Sequence, residues 1–249
     1  MNLQHAKHFR QRGFTLLEVA MAVLAMAIVL GVSMVARNPD ASKSSASEAA
    51  FMDSIVSSLF KYVLRNNRLP CPDLSSNPTT GLETVSSPGV CAASNKVGKV
   101  PYLTLEVPLS SPVGTGLDQQ FTYGVYRGGG VAAKDLTLNE ERSLPIPHVA
   151  PNASYKNLDD FKQGAMNASS AGLTSSEIYV TGNDSDSGAS DCSANQVDNM
   201  AFIVAFQGGR NAAVNSGMCF VGPGKPFSPT YDNLVRAVGF SELIGVLSR

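Results

Sequence analysis

At 249 residues with a formal net charge of −1, the chain is long enough for one sizeable hydrophobic core but lacks the basic excess of a nucleic-acid-binding domain. No basic run appears, although folding could gather Arg65, Arg68, Lys96 and Lys99 into a local patch; no nucleic-acid partner is expected. Tryptophan is absent, and 22 glycines and 14 prolines place much of the chain in turns.

Residues 1–13 form a basic leader with Lys7, Arg10 and Arg12, ending at Gly13. From Phe14 to Ala36 the only charged residue is Glu18. As a helix this stretch would be about 35 Å long, enough to cross a bilayer core with some tilt. More Lys and Arg precede it than closely follow it, which keeps the leader cytoplasmic and sends residues 37–249 across the inner membrane into the periplasm. A secretory signal peptide would carry its small cleavage residue after the apolar run; here Gly13 comes before it. An acidic group inside a membrane segment costs about 2.5–3.5 kcal/mol on insertion scales, so Glu18 calls for a partner.

Gly13, Phe14 and Glu18, in Gly-Phe-Thr-Leu-Leu-Glu ahead of a long apolar tail, resemble the class III leader of type IV pilins and type II secretion pseudopilins. The resemblance implies cleavage between Gly13 and Phe14 by a prepilin peptidase and N-methylation of Phe14. It also implies that Glu18, the fifth residue of the mature chain, pairs with the Phe14 amine of a neighbouring subunit during assembly. An α-amino group is largely cationic at neutral pH, and in a low-dielectric helix bundle such a pair would set the register. Loss of the leader would leave 16 basic and 20 acidic residues, a net of −4. The rival for this stretch is an uncleaved signal anchor on a periplasmic binding or sensor domain.

Pro39 should kink or interrupt the helix, and the Ser/Ala-rich stretch 42–50 restarts it. Phe51, Ile55, Leu59 and Val63 recur at i, i+4 with Met52, Val56 and Phe60 beside them, predicting a helix over about 47–65 with one buried face. Asn66, Asn67, Pro70 and Pro72 end it. Arg68-Leu69-Pro70-Cys71-Pro72, then Gly98-Lys99-Val100-Pro101-Tyr102-Leu103-Thr104-Leu105 and the strand-like 120–126, resemble a narrower group of large prepilin-like proteins of Gram-negative bacteria. The fold implied is α+β and pilin-like: a long N-terminal transmembrane helix packed on an antiparallel sheet of about 98–249, with disulfide-tied loops.

Further along, strands are expected at 121–126, 177–181, 200–206 and 218–221, with the apolar run 200–206 central. Gly128, Gly129 and Gly130 lack the spacing of a phosphate-binding loop and read as a turn. Residues 144–176 read as a long surface excursion with a short helix at 158–163. The tail reads as a strand over 233–239 and a helix over 241–247 capped by Ser241.

Cys71, Cys91, Cys192 and Cys219 all follow the membrane segment, and an even number in a periplasmic domain reads as disulfides. Of three connectivities, Cys71–Cys91 with Cys192–Cys219 closes the shortest loops. A zinc site competes poorly, with no C-x-x-C and one His beyond the leader. Asp184, Asp186 and Asp191 could offer oxygens to Ca²⁺, but a glycine out of EF-hand register and the missing Glu favour a solvated acidic loop. No metal or cofactor is expected.

His148 has no nucleophile-elbow motif to serve, and nothing singles out Asp159 or Asp160 as acid or base, so no catalytic residue is expected. The sequence reads as a structural minor pilin or pseudopilin, with other such subunits as partners and an ectodomain large for a major pilin. In the families it resembles the tip-most pseudopilin lacks the acidic fifth residue, so Glu18 argues against the extreme tip. A DNA receptor of a competence pilus is the other alternative, disfavoured by net charge.

Overall fold

A computed structural model describes residues 21, 39–75, 80–92, 95–107, 121–142, 156–182, 192, 195–208, 215, 217–225 and 231–249. The chain divides into two compact units, Met1–Ser45 and Ala46–Arg249. Helix α1 runs Pro39–Asn66, longer than the apolar stripe alone predicts because the Ser/Ala-rich stretch joins it. Any break of the helix ahead of Pro39, like the apolar segment 14–36 save Met21, lies outside the described residues. At its other end Asn67 takes a left-handed conformation (φ 52°), and its N–H donates to the Val63 carbonyl (2.8 Å). Asparagine tolerates that conformation better than most residues, so Asn67 ends the helix.

The stripe does what its spacing requires. Ile55, Leu59 and Val63 are almost wholly buried, with Met52, Val56 and Tyr62, against one face of a four-stranded antiparallel sheet. That sheet has the order β3 (Val97–Lys99), β4 (Phe121–Val125), β7 (Phe202–Phe206), β9 (Leu234–Val238). Phe51 meets Phe121 edge-on at 5.3 Å between ring centroids, and Phe60 meets Phe202 at 5.8 Å.

Strand β7 is apolar throughout, and side chains alternate faces along a strand. Phe202, Val204 and Phe206 point to the helical core, while Ile203 and Ala205 join a second core with Ile178, Val180 and Phe220. The latter three come from a smaller sheet of order β6 (Gln196–Asn199), β5 (Tyr179–Thr181), β8 (Cys219–Phe220). The main sheet is antiparallel as expected; the smaller one beside it is mixed, because β5 pairs with β8 in parallel. A hairpin, β1 (Val85–Ser87) with β2 (Val90–Cys91), lies upstream of the expected start of the sheet at about 98, which strand β3 marks. These strands are too short to leave a period-2 pattern.

Two further readings are corrected. Residues 144–176 are not a mere surface excursion: helix α2 runs Leu158–Ser169 and buries Phe161, Ala165 and Ala168 in the core. The helix continues past Gly164, an unfavourable helix residue whose missing side chain leaves room for Arg142: a Cβ there would come within 2.8 Å of Nη1. Asn157 caps it by accepting from the Asp159 and Asp160 N–H groups, while the Asp160 carboxylate accepts from Asn157 N–H. At the C-terminus helix α3 spans Phe240–Leu247, so Ser241 lies inside it and extended Gly239 is its N-cap. Burial of Phe240, Leu243 and Leu247, with Phe240 edge-on to Tyr126 at 5.1 Å, sets that start.

The sheets approach closely at Gly124, where a Cβ would lie 3.1 Å from Ile178 Cγ2 and 3.2 Å from the Phe220 ring. Gly124→Val should therefore overpack this junction and cost about 1–3 kcal/mol. Thermal unfolding of the full chain in detergent checks this, with a lowered midpoint expected.

Candidate functional site

Gly13, Phe14 and Glu18 lie outside the described residues, as do His148, Asp184, Asp186 and Asp191. Among the described residues no helix is long and apolar enough to cross a membrane, and no cluster of three or more His, Cys, Asp or Glu side chains could hold a metal ion. The cysteines are placed: Cys71 is bonded to Cys91 and Cys192 to Cys219, with Cα separations of 5.3 and 5.7 Å.

The first of these bonds adjoins the most concentrated polar chemistry described. Where α1 ends, Arg68 turns inward and is only 7% exposed. Its guanidinium grips Glu83 bidentately, Nη1 donating to Oε2 at 2.9 Å and Nη2 to Oε1 at 2.6 Å. Glu83 also accepts from the Cys71 N–H (3.0 Å) and the Tyr62 hydroxyl (3.1 Å), and the guanidinium lies 5.4 Å from the Tyr62 ring centroid. Burial by itself would raise the Glu83 carboxyl; the Arg68 bond, the Cys71 N–H and the Arg68 charge outweigh it and hold it below the ordinary carboxylate value. Burial likewise opposes the Arg68 charge, and the Glu83 bond restores it, leaving Arg68 above its ordinary value. Tyr62 moves upward, mainly through burial. Arg68 stands within the Arg-Leu-Pro-Cys-Pro motif, but its partner Glu83 sits in the variable loop, where nothing in the spacing marks it.

A second polar node explains the triple glycine. Gly128, Gly129 and Gly130 all have positive φ and form short 3₁₀ turns with Ala132–Lys134. The N–H groups of Arg127 (2.9 Å) and Gly129 (2.6 Å) donate to the buried Glu177 carboxylate, which also pairs with Lys96 (2.6 Å). The loop is thus an anion cradle filled by the chain's own carboxylate. Arg127 reaches Asp135 (Nε to Oδ2, 3.2 Å), whose other oxygen accepts from the Thr137 N–H and hydroxyl.

Two further buried carboxylates follow the same pattern. Asp73 accepts from Ser75 and from the Gly81 N–H, folding the loop after Cys71; Asp160 accepts from the Asn157 and Arg142 N–H groups. Each holds a segment in place. A shallow cleft of about 280 Å³ opens beside Lys99, Thr122 and Gln207, where the Gln207 amide donates to the Thr122 hydroxyl (3.0 Å).

Of the suggested patch Arg65, Arg68, Lys96 and Lys99, three residues face carboxylates. Arg65 pairs with Glu106 at the surface, Arg68 with Glu83, and Lys96 with Glu177.

Residues 8–34 match the family described as the prokaryotic N-terminal methylation motif, the prepilin-type signal of type IV pilins and pseudopilins. No curated protein and no solved structure matches the chain.

Glu83 has a testable pH signature. Its carboxyl is held below the unfolded value of about 4.3, so its contribution is complete above that pH and fades as pH falls through the lower folded value. Glu83→Gln should cost about 3–5 kcal/mol at pH 7, because it leaves a buried guanidinium without its counter-charge. Denaturant midpoints at pH 7 and pH 3 check both: wild type should lose stability on acidification more steeply than the variant.

Proposed function

We propose that the chain is a structural subunit of the minor pilin or pseudopilin kind, assembled into a type IV pilus or a type II secretion-like filament. The observation that carries this reading is the methylation motif at residues 8–34, which makes the chain a prepilin-type substrate in the general sense. A prepilin peptidase would cut between Gly13 and Phe14 and the new Phe14 amine would be methylated. Residues 14–36 would then hold the subunit in the inner membrane, with residues 37–249 in the periplasm.

Glu18 would serve assembly. An acidic side chain surrounded by apolar residues requires a cation, and the Phe14 amine of a neighbouring subunit supplies one at the matching end of a packed helix. A structural role is supported by buried Asp73, Asp135, Asp160 and Glu177 and half-buried Glu83, which hold loops and turns. With Arg65, Arg68 and Lys96 neutralised by carboxylates, the described surface favours the subunit role over DNA capture.

The decisive experiment is the intact mass and N-terminal sequence of the membrane-extracted protein, expressed with and without a prepilin peptidase. A peptidase-dependent start at Phe14 carrying one methyl group is expected; a chain still beginning at Met1 beside active peptidase would overturn the reading. Glu18→Ala should leave cleavage intact and abolish incorporation into filaments, measured as subunit content of sheared filament fractions.

A further inference from the structure

Glu83 sits inside the loop that Cys71 and Cys91 close, 12 residues after the first cysteine in a separation of 20. From there it neutralises a guanidinium belonging to the end of α1. Gly89 of the same loop comes close as well: a Cβ on it would be 3.8 Å from Arg68 Nε. Several ties that hold the Glu83 segment also lie within the bridged loop, namely Thr84 N–H to the Pro72 carbonyl (3.3 Å) and Leu74 N–H to the Thr84 hydroxyl (2.9 Å). The Glu83 N–H bond to the Thr104 hydroxyl (2.9 Å) comes from outside it.

We propose that the Cys71–Cys91 disulfide and the Arg68–Glu83 ion pair form one redox-gated latch: oxidation of the two thiols seats Glu83 on Arg68 and closes the end of α1, and reduction releases it. In the forward step the two thiols lose two electrons and two protons to a disulfide oxidant, which departs as a dithiol. The closed loop keeps Glu83 at high local concentration beside Arg68; in the open chain its excursions leave a buried guanidinium uncompensated. Linkage makes the effect reciprocal, so the ion pair in turn protects the disulfide, whose cysteines are 0% and 3% exposed. Cys192–Cys219, whose cysteines are partly exposed, stands outside this unit. The coupling rests on ectodomain geometry alone. That the latch closes only after export rests on the proposed function.

A double-mutant cycle on the full chain in detergent tests it. Glu83→Gln should lower the thermal midpoint by roughly 10 °C with both disulfides intact and with Cys192→Ser/Cys219→Ser, and by little with Cys71→Ser/Cys91→Ser. An equal drop in all three backgrounds would overturn the latch.

Should the Cys71→Ser/Cys91→Ser chain not fold, the reciprocal measurement decides. Dithiothreitol reduces each bond to two thiols and is itself oxidised to its cyclic disulfide, and alkylation with mass spectrometry times the two bonds separately. Glu83→Gln should hasten reduction of Cys71–Cys91 by about a hundredfold and leave Cys192–Cys219 unchanged. Equal rates in wild type and variant, or equal acceleration of both bonds, would overturn the proposal. Failure of cleavage at Gly13 would overturn the assembly reading and leave the latch standing.

Discussion

A strand with two apolar faces must be covered twice, and the Ala46–Arg249 unit is arranged to meet that demand of β7. Phe202, Val204 and Phe206 require a partner on one side, Ile203 and Ala205 on the other. Helices α1, α2 and α3 supply the first cover and the β5–β6–β8 sheet the second. Burying a large aliphatic or aromatic side chain is worth about 1.5–3 kcal/mol, so the central strand offsets the ordering of several segments on each side. Gly124 marks a close approach within the second cover.

Polar chemistry does a different job. Apolar packing is non-directional and cannot by itself specify where an irregular loop rests. Here loops are positioned by carboxylates: Glu83 joins the Cys71–Cys91 loop to the end of α1, Glu177 fills the Arg127–Gly130 turn, and Asp160 closes the cap of α2. Each carboxylate brings distant segments together and accepts several donors, which offsets the desolvation of a buried charge.

What could be read in advance followed from periodicity. The i, i+4 stripe on α1 and the unbroken apolar run of β7 announce their burial, because a helix or strand can hide a stripe in only one way. The sequence suggests an end for α2 just before Gly164, whose reason is the close approach of Arg142, a contact with no trace in local sequence. Ser241 has the chemistry of a cap, yet the buried Phe240 draws the helix start forward to Gly239. The hairpin and β3 are too short to carry a pattern at all.

The N-terminal motif is wholly a property of sequence: residues 8–34 match as a linear string, so Gly13, Phe14 and Glu18 stand out without any fold. The α+β class and the spacing of the cysteines were also present in the chain, because hydrophobic period and loop length are local quantities. Only the tertiary structure decided that Arg68 meets Glu83, and that the Arg127–Gly130 turn closes on a glutamate 48 residues beyond Gly129. Those are contacts between segments with no shared period. A charge carries no mark of its partner until packing removes water from both.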